Sequence, residues 1–189
     1  MVEHITRPFK YRVVKNFLNK TEVNLLTDYM RIKHRLNSDS FDLEQSNNYA
    51  TIFYKDPLME SIMLQKREVM EIQTGYKLFP TYSFFRMYTF GSDLKPHTDR
   101  KSCEISVTVS IGSDGTPWPI YMDGRPVQLE PGEACVYFGC EIPHWRKPFT
   151  GDWYAQTFLH YVNKDGPNKE WLKDKKLLWG QPHWQENAV

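Results

Sequence analysis

The chain contains few cysteines, and they do not form a recognisable disulfide or metal-binding pattern. Only three occur in 189 residues, at Cys103, Cys135 and Cys140. The odd number and the absence of a C-x-x-C spacing argue against both a disulfide-stabilised secreted domain and a cysteine-rich zinc site. We therefore expect a reduced, intracellular and cytoplasmic protein in which each cysteine behaves as a small buried hydrophobic residue.

Long apolar runs and a strong charge of one sign are lacking as well. No stretch approaches the roughly 18 apolar residues of a membrane span, and the start MVEHITRPFKYRVV has no apolar core of the kind found in signal peptides. The formal net charge is +1, and neither end carries an acidic or basic tail. These features predict that neither a membrane nor a nucleic acid is a partner.

The overall composition is that of a globular domain. Hydrophobic residues make up 40%, charged residues 25% and aromatic residues 15% of the chain. A length of 189 residues suits one domain with a full core. We predict a single domain over 1–189, with a helical part over about 1–75, a β core over about 77–162 and a tail over 163–189.

The first third of the sequence predicts two helices. The segment NKTEVNLLTDYMRIKH has apolar residues three and four positions apart, and Thr21 is a possible N-cap. The segment DPLMESIMLQKREVMEIQTG has Asp56 before Pro57 at its start and Gly75 at its end, which are typical helix boundary signals.

After Gly75 the pattern changes to that of β-strands. EISVTVSIG alternates between aliphatic residues and Ser or Thr, and WPIYMDGRPVQL predicts a hairpin with Asp-Gly at its tip. About seven or eight short strands follow the two helices, which favours a sandwich or barrel over a parallel βαβ sheet. The predicted fold is mainly β with N-terminal helices (α+β): a double-stranded β-helix, or jelly roll, backed by two helices.

A candidate metal site begins in the stretch PHTDR. His97 and Asp99 are two residues apart at a strand boundary, so they share one face of a regular strand. Imidazole plus carboxylate suits Fe(II) or another intermediate divalent ion, and a second histidine would complete a 2-His-1-carboxylate triad. His144 and His160 lie on later predicted strands, and His144, which opens a strand after a proline, is the better placed. The residue types alone leave the third ligand open.

Four stretches, taken together in order, resemble a known family. They are RMYTFGSDLKPHTD, ISVTVSIG, VQLEPGEACVYFG and PHWRKPFTGDWYAQTFLHY. They are similar to the Fe(II)- and 2-oxoglutarate-dependent oxygenases, most closely to the prolyl 4-hydroxylase-like branch, over about residues 77–162. The resemblance implies that His97, Asp99 and His144 are the iron ligands.

The same resemblance implies an activity and its cosubstrates. Such an enzyme couples oxidative decarboxylation of 2-oxoglutarate, giving succinate and CO₂, to hydroxylation of a C–H bond by O₂, with ascorbate as a reductant. Its partner would be a peptide or a small molecule, and peptidyl proline or another amino acid is the substrate that the branch suggests.

The sequence departs from the family where the far carboxylate of 2-oxoglutarate would bind. Members of the family usually place a Lys or Arg nine or ten positions after the second histidine, whereas this chain has Trp153 and Tyr154. A buried carboxylate needs a charged or hydroxyl partner, so another residue must supply it.

Three arginines are candidates for that role. Arg146 follows His144 by two positions and therefore shares its inward face, which makes it the first choice. Arg86 shares a face with Tyr88 and is the second choice. Arg100 directly follows Asp99, so it should point away from the metal unless the chain turns there.

Hydroxyl and aromatic residues complete the predicted site. The resemblance implies that Tyr88 and Thr157 donate hydrogen bonds to 2-oxoglutarate. The aromatic candidates for a substrate cleft are Trp118, Tyr121 and Trp145, and the connections RLNSDSFDLEQSNN and SDGTPWP are candidates for setting specificity.

Two alternatives remain. The substrate of the oxygenase could be another protein side chain, a metabolite or a nucleobase. The chain could instead be a non-catalytic, cupin-like jelly roll that binds a metal or ligand, a reading that the departure at Trp153 and Tyr154 keeps open.

Overall fold

The computed structural model describes residues 9–36 and 50–181. Helix α1 spans Lys20–Leu36. At its start the Asn19 side chain accepts a hydrogen bond from the Glu22 backbone N–H at 2.9 Å, and the Glu22 carboxylate accepts one from the Asn19 N–H at 2.8 Å. This reciprocal pair is a capping box. The prediction of Thr21 as the N-cap is therefore wrong, because Asn19 already satisfies the first turn.

Helix α2 spans Pro57–Thr74 and has the predicted boundaries. The Asp56 carboxylate accepts hydrogen bonds from the backbone N–H groups of Leu58 and Met59. At the other end Gly75 has a left-handed φ of 76°, which glycine adopts without steric cost.

Ten strands and two 3₁₀ segments are present in the two described stretches. The strands are β1 (Tyr11–Val14), β2 (Ala50–Tyr54), β3 (Leu78–Thr89), β4 (Leu94–His97), β5 (Ile105–Ser113), β6 (Ile120–Met122), β7 (Arg125–Val127), β8 (Ala134–Tyr137), β9 (His144–Arg146) and β10 (Trp153–Asn163). The 3₁₀ segments are Lys101–Cys103 and Lys169–Lys175.

The strands form two antiparallel sheets that face each other. The larger sheet has the order β1-β8-β5-β10-β3-β2, and the smaller has the order β4-β9-β6-β7. This architecture is a jelly roll with two helices in front of it in sequence. The predicted fold class is confirmed.

The alternation in β5 separates the apolar core from the space between the sheets. Both helices contact the larger sheet, α1 at β5 and α2 at β3 and β10. The aliphatic side chains of β5 join residues of both helices in one buried cluster, whose members include Leu26, Met30, Met63, Ile105, Val107, Val109 and Ile111. The Ser and Thr side chains of β5 therefore face the interior between the two sheets, where a polar site can form.

The predicted Asp-Gly hairpin is also confirmed. β6 pairs with β7, and the two loop residues Asp123 and Gly124 have φ values of 50° and 81°. Two consecutive positive φ values are the signature of the type I′ turn that Asp-Gly favours.

The C-terminal segment, defined as residues 168–181, packs on the body against β3. The Lys55 ammonium donates to the Lys173 carbonyl at 3.0 Å and lies 3.5 Å from the Glu60 carboxylate. Glu60 in turn accepts from the Gly180 backbone N–H at 3.0 Å. The segment is thus fastened by a buried polar network that includes residues distant in sequence.

Neither described helix is long and apolar enough to span a membrane. The prediction of one domain over 1–189 stays a prediction. Most of the connection RLNSDSFDLEQSNN lies outside the described residues.

Candidate metal centre

Three predicted ligands converge in the space between the two sheets. β4 pairs with β9 so that His97 lies opposite His144. The Asp99 Oδ1 atom is 3.7 Å from Nε2 of His97 and 3.6 Å from Nε2 of His144. The two imidazole rings are 4.3 Å apart between centroids. The three ligand atoms therefore surround one point, as binding of a single ion requires.

Backbone carbonyls orient both histidines. The Nδ1 atom of His97 is 2.8 Å from the Lys95 carbonyl oxygen, and Nδ1 of His144 is 2.9 Å from the Ile142 carbonyl oxygen. Because a carbonyl oxygen only accepts, each Nδ1 carries the proton and each Nε2 presents its lone pair to the centre. Burial lowers the pKa of His144, which favours the neutral imidazole that binds metals.

This donor set fits an intermediate divalent ion such as Fe(II). Two imidazole nitrogens and one carboxylate on the same side of a centre form the facial arrangement of non-haem iron oxygenases and leave further coordination positions open. All three ligand atoms lie within 4.8 Å of one another.

The Asp99 carboxylate is held by neighbours that the sequence did not reveal. The Asp99 backbone N–H donates to the Gly139 carbonyl at 2.8 Å. The Ser106 hydroxyl lies 3.3 Å from Asp99 Oδ2 and 2.8 Å from Nδ1 of His160. With Cys103, His160 and Asp99 form a second group of metal-type ligands beside the first. Burial lowers the pKa of His160 to about 4, so this imidazole is neutral near pH 7.

A cavity of about 490 Å³ adjoins the metal centre. This volume lies within the range of small-molecule sites. Aromatic side chains form much of its wall, and its lining includes Tyr54, Tyr82, Phe84, Arg86, Tyr88, His97, Asp99, Arg100, Cys103, Tyr137, His144, Phe158 and His160.

Arg86 and Tyr88 line this cavity together. Both lie on β3 and are buried, with 3% and 0% of their surface exposed. The Arg86 guanidinium carbon is 5.0 Å from the Phe84 ring centroid and 5.7 Å from that of Tyr88. The structure therefore brings the second-choice arginine and the predicted hydroxyl donor to the cavity.

Arg146 occupies a different environment. Its Nη2 donates to Gln156 Oε1 at 2.7 Å, and its Nη1 donates to the Trp118 carbonyl oxygen. The guanidinium carbon lies 4.4 Å from the Trp118 ring centroid and 4.9 Å from that of Tyr154. The first-choice arginine thus points inward, as expected, but it is embedded in an aromatic cluster that also contains Phe149.

Arg100 lies at the cavity, because the chain turns directly after it. It precedes the 3₁₀ segment Lys101–Cys103, and its guanidinium carbon is 4.7 Å from the Tyr82 ring centroid. Strand β4 ends at His97, so the alternation that would point this side chain away from the metal does not apply here.

Thr157 is not brought to the cavity. It pairs with Phe85 of β3 and Val109 of β5, both of which belong to the core on the helix side of the larger sheet. Its hydroxyl donates to the Phe84 carbonyl at 3.3 Å. The cavity-facing residues of β10 that are nearest to it are Phe158 and His160. Because side chains alternate along a strand, Thr157, three positions before His160, is expected on the face of β10 opposite to that of His160.

The three aromatic cleft candidates separate into two places. Trp118 belongs to the buried cluster around Arg146. Tyr121 and Trp145 stack on neighbouring strands of the smaller sheet, with centroids 5.4 Å apart and ring planes 8° from parallel. None of the three is among the described residues that line the cavity.

No protein-family model matches this sequence. No curated protein matches it either.

Solved structures show that the fold is that of the Fe(II)- and 2-oxoglutarate-dependent oxygenases. A prolyl-4-hydroxylase from Pseudomonas putida is similar at 17% identity with a TM-score of 0.59, over 84% of this chain and 94% of that one. A viral collagen prolyl hydroxylase from Paramecium bursaria Chlorella virus-1, in complex with 2-oxoglutarate, is similar at 13% identity with a TM-score of 0.62, over 82% and 96%. HygX from Streptomyces hygroscopicus, with nickel and 2-oxoglutarate bound, is similar at 10% identity with a TM-score of 0.63, over 82% and 83%.

Proposed function

We propose that this protein is an Fe(II)- and 2-oxoglutarate-dependent oxygenase. The observation that carries the proposal is the convergence of His97, Asp99 and His144, with both Nε2 atoms within 3.7 Å of one carboxylate oxygen. The jelly-roll fold and the adjoining cavity support it. With Fe(II) held by these three residues, the bound cosubstrates would supply oxidation of a C–H bond: O₂ and 2-oxoglutarate give succinate, CO₂ and a hydroxylated product.

We assign the far carboxylate of 2-oxoglutarate to Arg86 and Tyr88. Both line the cavity beside the metal centre. A guanidinium with almost no exposure to solvent gains strongly from a buried carboxylate partner. Arg146 is the alternative, and its bonds to Gln156 and the Trp118 carbonyl favour a role in fixing the smaller sheet against the larger one.

The substrate is a peptide or a small molecule. Prolyl hydroxylation is one candidate reaction, since two of the similar structures are prolyl hydroxylases. The aromatic wall of the cavity suits a ring or another apolar body.

Succinate formation tests the proposal. Purified protein with Fe(II), ascorbate and 2-oxoglutarate should release succinate slowly even without the prime substrate. The His97→Ala and His144→Ala variants should bind no iron and should release no succinate. Absence of succinate, together with no calorimetric binding of 2-oxoglutarate to the metal-loaded protein, would leave a non-catalytic jelly roll as the explanation. Stoichiometric iron in either variant would refute the ligand assignment.

A comparison of three arginine variants tests the cosubstrate assignment. Arg86→Gln should raise the 2-oxoglutarate concentration needed for half-maximal binding by about tenfold or more, because a charged hydrogen bond contributes about 1.5–3 kcal/mol. Arg146→Gln and Arg100→Gln should change this concentration less. A larger effect of Arg146→Gln would transfer the role to Arg146.

A further inference from the structure

Two arginines line the cavity at separate places: Arg86 is part of β3, and Arg100 packs against another residue of the same strand. Arg86 lies between Phe84 and Tyr88, whereas Arg100 packs on Tyr82. Tyr82 and Arg86 are four residues apart on one strand, a separation of about 13 Å. One arginine could therefore bind a cosubstrate while the other contacts a different molecule.

The two arginines also differ in their access to solvent. Arg86 has 3% of its surface exposed, whereas 49% of the Arg100 side chain is exposed. Arg100 directly follows the metal ligand Asp99 in the chain. It therefore belongs to a part of the cavity wall that solvent reaches, and it is next in sequence to a proposed metal ligand.

The C-terminal segment holds Arg100 in a fixed orientation. The Arg100 Nη2 atom donates to the Asp174 carboxylate at 2.8 Å, and the same carboxylate accepts a hydrogen bond from the Tyr54 hydroxyl. The guanidinium carbon lies between two rings, 4.7 Å from the Tyr82 centroid and 5.9 Å from the Trp171 centroid. A guanidinium held in this way loses little conformational entropy when it binds a ligand.

We infer that Arg100 binds a carboxylate of the substrate, so that the substrate is an organic acid with an apolar body. This inference rests on the proposed oxygenase function. A guanidinium has five N–H donors in a planar fork that matches a carboxylate, and its bonds to the Asp174 carboxylate and the Tyr82 hydroxyl leave the other donors for a ligand. The negative charge of Asp174 also interacts with the Lys55 ammonium, so it is shared between two cations and does not belong to Arg100 alone.

The rest of the cavity wall agrees with this substrate class. The aromatic rings of Tyr54, Tyr82 and Phe158 line the same space and suit an apolar body. Among the described lining residues Asp99 is the one carboxylate, and it is committed to the metal. An acidic substrate therefore meets a cation, and no uncommitted acidic group, in the wall.

Paired acid and amide probes test this inference. The protein is loaded with Ni(II) in place of Fe(II), to prevent turnover, and saturated with 2-oxoglutarate. Calorimetry then compares phenylacetate with phenylacetamide and N-acetylproline with N-acetylprolinamide. A third pair, an end-capped peptide with one internal Asp and its Asn counterpart, distinguishes a peptide side chain from a free acid. In at least one pair the acid should bind about tenfold more tightly than the amide.

Variants test whether Arg100 causes the preference for the acid over the amide. Arg100→Gln should abolish this preference. Arg100→Lys keeps a cation for Asp174 but lacks the planar fork, so it should lose most of the preference. Arg125→Gln, a change at an exposed arginine of β7 outside the cavity lining, should retain it. The affinity for 2-oxoglutarate, measured without a probe, should stay within about twofold in Arg100→Lys, which shows that the cosubstrate site is intact.

Failure of this inference differs from failure of the proposed function. If Ni(II) and 2-oxoglutarate bind but no acid binds more tightly than its amide, or if Arg100→Gln retains the preference, the assignment of Arg100 is overturned. If the metal and 2-oxoglutarate do not bind, the proposed function fails. In that case the same probe pairs, titrated into protein without metal and 2-oxoglutarate, show separately whether Arg100 binds a carboxylate.

Discussion

At the scale of single residues, the metal centre depends on a glycine that has no room for a side chain. A Cβ atom added at Gly139 would lie 2.4 Å from Asp99 Oδ2, 2.3 Å from the Cys103 carbonyl and 3.0 Å from the Ser106 hydroxyl. Real Cβ atoms do not approach other atoms so closely, so either the loop or the Asp99 carboxylate would have to move. Gly139 therefore constrains the position of Asp99, a proposed metal ligand, although it offers no ligand atom from a side chain.

We expect Gly139→Ala to weaken metal binding strongly. The clash should also lower the free energy of unfolding by about 1–3 kcal/mol, as in other overpacked interiors. Metal titration by calorimetry and the urea unfolding midpoint measure the two effects.

A second glycine provides the control. Gly124 has a φ of 81° and nothing within 4 Å of an added Cβ, so Gly124→Ala should cost about 1–2 kcal/mol of backbone strain and leave metal binding unchanged. Metal affinity in Gly139→Ala equal to that of the unmodified protein would show that Asp99 does not depend on this contact.

The sequence predicted the three residues that we propose as metal ligands, but not the contacts that hold them. His97 and Asp99 stand two apart, and the family resemblance supplied His144. By contrast, Ser106 and Gly139 reach Asp99 only because β5 and the loop after β8 fold against it. Such contacts join residues up to 40 positions apart, and no local pattern encodes them.

At the scale of secondary structure elements, alternation predicted strand faces well where strands are regular. In β5 it assigned every aliphatic residue to the core side. In β10 the same rule separates Phe158 and His160, which line the cavity, from Thr157 and Leu159 on the helix side. It does not apply at Arg100, because the strand ends before that residue and a 3₁₀ turn follows, which is the exception that the sequence analysis allowed for.

The C-terminal segment is the element that the sequence described least. The sequence predicted a tail over 163–189, but not its attachment through Lys55 and Glu60. Both side chains are almost completely buried, with 0% and 2% exposed. Removal of one charge would leave the other uncompensated in the interior.

We expect Lys55→Met to lower the free energy of unfolding by about 3–5 kcal/mol, because the Glu60 charge remains buried without its cation. The double variant Lys55→Met/Glu60→Gln should recover part of this loss. Urea unfolding followed by fluorescence measures both.

An exposed ion pair is the matched control for the buried one. Lys77 lies 2.6 Å from Glu71 but is 73% exposed, and Lys77→Met should cost less than about 1 kcal/mol. Equal losses in Lys55→Met and Lys77→Met would contradict the role given to the buried network.

At the scale of the whole molecule, the three cysteines report on the integrity of the fold. Cys103 and Cys135 are buried, whereas Cys140 is partly exposed. Burial raises the pKa of Cys135 to about 12, so its reactive thiolate is scarce near pH 8.

We expect iodoacetamide at pH 8 to modify Cys140 first in the native protein. Cys135, which lies outside the cavity lining, should react only after global unfolding, with a rate that increases across the urea transition. Peptide mass spectrometry identifies the labelled residue at each urea concentration. Rapid native labelling of Cys135 would mean that β8 opens independently of the rest of the sheet.

The carbonyl groups that orient the two histidines give the metal centre an unusual tolerance to change. The acceptors belong to the main chain at Lys95 and Ile142, and every amino acid, proline included, carries that oxygen. Replacement of either side chain therefore leaves the tautomer of the neighbouring imidazole unchanged, provided that the backbone keeps its path. In a lineage that diverges until few identities remain, the exposed Lys95 can be replaced by many residue types, whereas Ile142 is buried in the core and its replacements must stay apolar; in both cases the carbonyl remains to orient the histidine. Comparison of sequences alone would find no invariant partner for either histidine.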